Sequence, residues 1–234
     1  LFVAAASECG NEGDTIRIGL AGPFSEERGR SMRLGAELAV REMNEAGGVN
    51  GRRLELLVQD DSARPARAVE VAVALRDDPR VIAVVGHLTS GTTVPAVAVY
   101  HAGDDPLVSI SPSASATELS GAGPFSFRVC ASDGAHGPAL ARWAFERLGA
   151  RSVAVLYLND DYGRGVLATF SAEFERLGGR LTARDPFLGG TTAFSPYLQR
   201  ISARGGSEAL LVAGARASAS IVLRQARALR ITME

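Results

Sequence analysis

Lysine is missing from this chain altogether: all 25 basic residues are arginine, set against 26 acidic residues for a formal charge of −1. No run of like charge is long enough for a nucleic-acid arm or an acidic tail, so nucleic acid and anionic membrane surfaces are excluded as partners. The arginine bias itself reads as codon usage and says nothing about function. Cysteine is scarce, and two residues cannot build a disulfide framework. No apolar run approaches the roughly 18 to 20 residues that a membrane span needs. The enzyme signatures are missing as well. Neither a G-x-S-x-G elbow nor a G-x-x-x-x-G-K phosphate loop occurs, and no G-x-G-x-x-G turn follows the first apolar run. His87, His101 and His136 are too far apart, with no cysteine or carboxylate pattern beside them, to suggest zinc. His87 reads as a structural histidine. Asp60 and Asp61 read as a solvated strand-end pair, with a phosphoacceptor role left open by pattern alone.

What is present is a chain of 234 residues, 46% apolar, enough for about one or two domains with their own cores. Residues 1–6 form a short apolar start that reads as the tail of a signal peptide. Cys9 follows as a candidate lipid-modified cysteine, although Glu8 stands where that processing wants a small residue; an unmodified leader is the alternative. Cys130, in the apolar stretch 125–131, reads as a buried small hydrophobe.

Apolar strand-like runs alternate with helical spacing along the whole chain, which is the pattern of a parallel sheet covered by helices on both faces. Strands are expected at 16–20, 54–59, 81–85, 106–110, 153–157 and 209–212, with a weaker one at 181–186. Helices are expected at 32–46, 65–76, 94–101, 135–148, 165–177, 194–204 and 217–229. The first of these stops at Gly47 and Gly48, where glycine takes the left-handed cap conformation. The rhythm pauses at 120–124 and resumes with 125–129, after which Asp133 is expected to cap the next helix.

Two loops rich in small hydroxyl side chains follow buried strands. Ser90, Gly91 and Thr92 open a helix, whose first N–H groups and positive dipole end favour a carboxylate. Ser113, Ala114 and Ser115 lie beyond the strand at 106–110. In open α/β sheets ligands bind beyond the carboxyl ends of the strands, so the two loops are expected to face one crevice. The bland alternative is that serine-rich turns satisfy only their own backbone.

The stretches GHLTSGTT, SISPSASATEL and FRVCASDGAHGP occur in that order, preceded by IRIGLAGPFSEERG and LGAELAVREMNEAGGVNGRRLELLVQDD and followed by LNDDYGRG and LRQARALRIT. Together they resemble the periplasmic leucine/isoleucine/valine-binding protein family over about residues 15–233. The resemblance implies a two-lobed type I periplasmic-binding-protein fold, each lobe a mainly parallel sheet flanked by helices. Residues 1–14 would be a leader remnant, 15–130 the N-terminal lobe, and 131–234 a second lobe, incomplete because the family's chain returns to its first lobe through further strands. The C-terminal part is on this reading missing, and exposed sheet edges and self-association are expected.

By the same resemblance, Ser90 stands at the carboxylate-binding serine, and Ser113, Ala114 and Ser115 stand in the loop that holds the ligand's carboxylate and ammonium. Tyr162 matches the aromatic of the second lobe that closes over the ligand. Arg28 stands where leucine-type members place an aromatic, and Gly214, Ala215 and Arg216 stand where a second tyrosine is usual. Loss of two aromatic walls removes apolar contact worth roughly 1.5 to 3 kcal/mol each. Arg28 or Arg216 would then meet a second anionic or polar group on the ligand, or else remain solvated surface arginine. The acid that answers the ligand's ammonium in the family falls beyond Glu234. The implied function is that of an exported solute-binding protein, periplasmic or at the cell surface, which delivers an amino acid or related acid to the permease subunits of an ATP-driven importer, with no cofactor and no catalysis. A ligand-sensing domain of the same fold, feeding a signalling protein or an amide-responsive regulator, is the alternative.

Overall fold

The computed structural model describes residues 15–233; the apolar start at 1–6 and Cys9 lie outside them. The chain builds two parallel sheets in succession. The first has the strand order β2-β1-β3-β4-β5, from β1 (Thr15–Gly22), β2 (Arg53–Asp60), β3 (Val81–Val85), β4 (Val108–Ser111) and β5 (Ser126–Arg128). The second has the order β7-β6-β8, from β6 (Ser152–Leu158), β7 (Arg180–Phe187) and β8 (Ala209–Ala213). Every pairing is parallel. Among the described residues six α-helices lie between strands, α1 (Glu27–Glu45), α2 (Pro65–Arg76), α3 (Ser90–Tyr100), α4 (Asp133–Arg142), α5 (Asp161–Arg176) and α6 (Ser195–Arg204), and α7 (Arg216–Ala228) follows β8.

In the first sheet, α2 and α3 press Val71, Leu75, Ala96 and Tyr100 against Val81 and Val84 to form one buried cluster. In the second, β6 is buried on both faces. Its odd residues Val153 and Val155 pack with Phe170 and Phe174 of α5, and its even residues Ala154 and Leu156 pack with Phe194, Leu198, Ile201 and Val222 from the α6 and α7 side. This two-sided burial is why β6 reads as a continuous apolar run. β7 sits at the sheet edge, where Pro186 can lack an N–H without breaking an interior ladder; proline and two charges are what weakened its sequence signal.

Helix beginnings depart most from the periodicity. Helix α1 starts five residues earlier than expected and α3 four residues earlier, because their first turns sit at the ends of strands and carry polar residues that give no apolar stripe. The expected helix 135–148 is instead α4 followed by a π-helical stretch, Trp143–Arg147. Asp133 does not cap it. Ser132 is the cap, its hydroxyl accepting from the Gly134 N–H at 3.2 Å, and Asp133 is the first helical residue. Apolar side chains stay exposed on both lobes, among them Leu34, Phe127 and Val129 on the first and Trp143 and Leu223 on the second.

Candidate functional site

Parallel sheets place the N-terminus of each following helix at the carboxyl end of a strand, and here five such helix starts converge. A crevice of about 310 Å³ is lined by Arg28 from α1, Thr89 and Ser90 from α3, His136 from α4, Asp160 and Tyr162 from α5, and Ala215 and Arg216 from α7, closed below by Leu88, Ser113, Ser115, Cys130, Leu158 and Gly214. Each of the five helices contributes its cap or a first-turn residue. Their positive dipole ends therefore lie around one volume, which favours an anionic group there.

The first lobe holds its two hydroxyl loops against each other. Ser90 Oγ accepts the N–H groups of Ser115 and Ala116, each at 3.2 Å, so its own proton remains to donate. Ser113 Oγ donates to the Leu88 carbonyl at 2.6 Å, and Ser111 Oγ donates to the His87 carbonyl at 2.6 Å while accepting the Ala114 N–H at 3.0 Å. Below them His87 is fully buried. Its Nδ1 donates to Asp61 Oδ2 at 2.6 Å, and its Nε2 meets the Tyr100 hydroxyl at 3.0 Å. Burial, and to a smaller degree the Asp61 carboxylate, drive the Tyr100 pKa far above that of an ordinary phenol. Asp61 is thus not a solvated strand-end residue. It is buried and paired with His87, whereas Asp60 accepts from the Ser62 N–H at 2.6 Å and shapes the turn.

The second lobe brings α5 up to α3. Asp160 caps α5, accepting the Gly163 N–H at 2.8 Å, and its side chain lies against Gly91 of α3. Glycine is required at 163 because any Cβ would run into the Leu158 carbonyl, so the strand-to-helix turn that sets Asp160 and Tyr162 in the crevice admits no larger residue. Burial raises the Asp160 pKa against the pull of the Gly163 N–H. Asp133 is fully buried with neither carboxylate oxygen hydrogen-bonded, beside His136 Nδ1 at 3.6 Å and against Gly165. Its pKa is raised by burial, partly offset by the Ser115 hydroxyl and by His136.

Of the ten residues singled out in the sequence, Arg28, Ser90, Ser113, Ser115, Tyr162, Ala215 and Arg216 line the crevice together. Three do not. Thr92 turns its hydroxyl to the Thr89 carbonyl at 3.0 Å, Ala114 is buried against Val97 and Leu119, and Gly91 is buried where α3 meets Asp160. Six lining residues were not anticipated there: Leu88, Thr89, Cys130, His136, Leu158 and Asp160. Cys130 is only half-buried, with its thiol 3.4 Å from the Ala114 carbonyl. Asp160 had a usable signal, since it follows a buried strand and precedes a helix in the same stretch as Tyr162. His136 had none, because the approach of α4 to the crevice is a tertiary fact.

Two α/β lobes with helix starts and hydroxyl loops set around one crevice give the layout of a two-lobed periplasmic binding protein. The chain belongs to the periplasmic binding protein family, whose model it matches over residues 15–232. It is 33% identical over 218 residues to the leucine-, isoleucine-, valine-, threonine- and alanine-binding protein of Pseudomonas aeruginosa, covering 92% of this chain and 57% of that protein. It is 28% identical over 219 residues to the Leu/Ile/Val-binding protein of Escherichia coli, with 92% and 59% covered. A solved branched-chain amino acid transporter substrate-binding protein of Streptococcus pneumoniae, in complex with isoleucine, superposes with a TM-score of 0.81 at 31% identity, over 94% of this chain and 62% of that one. An ABC transporter substrate-binding protein of Desulfitobacterium hafniense in complex with leucine gives a TM-score of 0.73 at 30% identity, over 94% and 64%. The chain thus spans somewhat under two thirds of the length of these relatives. Among the described residues no helix is long and apolar enough to cross a membrane.

Proposed function

We propose that the crevice binds a free amino acid, or a similarly small carboxylate-bearing molecule, and that the protein is the extracytoplasmic solute-binding component of an ABC importer, handing its ligand to permease subunits without transforming it. The observation that carries this reading is the convergence of five helix starts on a crevice of about 310 Å³ that holds a hydroxyl with an uncommitted proton, Ser90 Oγ. A carboxylate placed there receives the Ser90 hydroxyl and the N-terminal N–H groups of α3. Ser115 supports the same end from the second loop, and Tyr162 with Asp160 closes over it from the second lobe. The lobes would divide near residue 131, and ligand bound between them would favour the closed arrangement by its extra contacts. Relatives described as transporter substrate-binding proteins favour transport over sensing as the role.

Calorimetric titration with a panel of free amino acids tests this directly. At least one should bind, and Ser90→Ala should weaken it by roughly 1.5 to 3 kcal/mol, the range for a hydrogen bond to a charged group. Absence of binding across the panel, or unchanged affinity in a folded Ser90→Ala variant, would contradict the assignment.

A further inference from the structure

The amino-acid reading leaves the ligand's side chain undetermined, and the two arginines of the crevice bear on it unequally. Arg216 is turned outward: its side chain is 88% exposed, and the nearest acid, Glu27, is 3.5 Å away and 77% exposed. Arg28 is also solvent-exposed, but its guanidinium is tied to the ligand loops. Its Nη2 donates to Ser113 Oγ at 2.8 Å, and Ser113 Oγ in turn donates to the Leu88 carbonyl at 2.6 Å, so a continuous chain of hydrogen bonds from α1 to both hydroxyl loops fixes the guanidinium on the crevice wall. It also faces Tyr162 across the opening. Burial, Asp133 and Asp160 all raise the pKa of that phenol, and Arg28 is the group that opposes them.

Three further facts say that Arg28 is there for something other than its own helix. It occupies the first turn of α1, where the helix dipole favours an acid, as Glu27 provides, and disfavours a cation. Among the described residues it forms no ion pair, and the Ser113 hydroxyl uses only one of its five N–H donors. The crevice also has a single aromatic wall, Tyr162, with Leu88 and Leu158 its largest aliphatic ones. An aliphatic ligand would therefore cut the remaining guanidinium N–H donors off from water with no acceptor to offer them.

Resting on the amino-acid site proposed above, we infer that Arg28 reads a second carboxylate, so that the crevice selects an α-amino acid with an acidic side chain, of the aspartate or glutamate kind, over an aliphatic one. The planar guanidinium fork matches a carboxylate with two parallel N–H bonds, a geometry that neither lysine nor a neutral residue reproduces. The ligand's own α-carboxylate lies at the Ser90 end. Its ammonium group meets the negative side of the crevice, where Asp160 uses one oxygen on the Gly163 N–H and keeps the other toward α3.

The test is calorimetric titration of the protein, of Arg28→Met and of Arg28→Lys with L-glutamate, L-aspartate and L-leucine, each variant first shown to melt as the parent does. One of the two acids should bind the parent at least tenfold more tightly than leucine. Arg28→Met should lower that acid's affinity at least tenfold while leaving leucine within about threefold, and Arg28→Lys should fall between, keeping charge without the fork. Leucine binding the parent as tightly as both acids, or Arg28→Met leaving the preferred acid untouched, would overturn the role of Arg28 while leaving an amino-acid site in place. If none of the three ligands binds any form, this inference falls, and the amino-acid panel described above decides separately whether the reading it rests on falls with it.

Discussion

The two lobes stabilise themselves by different means. The first keeps charge and hydroxyl groups in its interior: Asp61, His87 and Tyr100 are all fully buried in one hydrogen-bonded row, and the His87 carbonyl gathers the Ser111 and Thr93 hydroxyls just beneath the ligand loops. The second is held by aromatic packing, with Phe170 stacked on Phe174 at 5.2 Å between centroids and Phe187 edge-on to Phe194 at 5.0 Å. Buried polar networks are costly unless every member is satisfied, and satisfied they fix geometry more narrowly than apolar contact does. The contrast leaves a preset hydroxyl surface on the first lobe's side of the crevice, with Asp160 and Tyr162 of the second lobe set opposite it.

The largest expected effects break that contrast from each side. His87→Ala leaves Asp61 with the Ala63 N–H as its remaining partner and should cost about 3 to 5 kcal/mol of stability, as for other broken buried pairs. Phe174→Ala opens a cavity in the second lobe and should cost a similar amount, about 3 to 5 kcal/mol. Denaturant melts of the two should therefore look alike. Ligand titration at low temperature, where both remain folded, should separate them: His87→Ala loses affinity because, without the imidazole bonds to Asp61 and Tyr100, the backbone carbonyl that accepts the Ser111 and Thr93 hydroxyls is no longer held in place, and Phe174→Ala keeps it. The reverse order would show that the polar row does not organise the site.

A smaller effect of opposite sign is expected at Asp133, where the lobes join. Burial raises its pKa above the ordinary value of 3.8, so the folded state holds the proton more tightly than the unfolded one. Its contribution to stability is full below that ordinary value and declines as the pH rises through the raised one. Asp133→Asn should accordingly raise the melting temperature at pH 7 and bring no gain at pH 3. A loss of stability at neutral pH would mean that the ionised carboxylate is instead held by its neighbours.

Much of this architecture is legible in the sequence because parallel strands buried on both faces leave continuous apolar runs, as at Val153 to Leu156. The serine loops are legible for a related reason: short side chains following such runs mark strand ends, which is where ligands bind in parallel sheets. What escapes is set by contacts between distant segments. The Asp61–His87 pair joins residues 26 apart in the chain, and nothing local distinguishes a buried aspartate from the solvated Asp60 beside it. The same holds for the choice between Arg28 and Arg216, two arginines that open helices. Only the position of Ser113 ties one of them to the ligand loops.

Hydrogen exchange across the whole chain, with and without saturating L-glutamate and, separately, L-leucine, tests most directly whether ligand sits between the lobes. The account predicts that at least one of these amino acids slows exchange together at residues 90–92 and 113–116 of the first lobe and at 161–164 of the second. Protection confined to one lobe, or no change in any of the three segments with either amino acid, would contradict it.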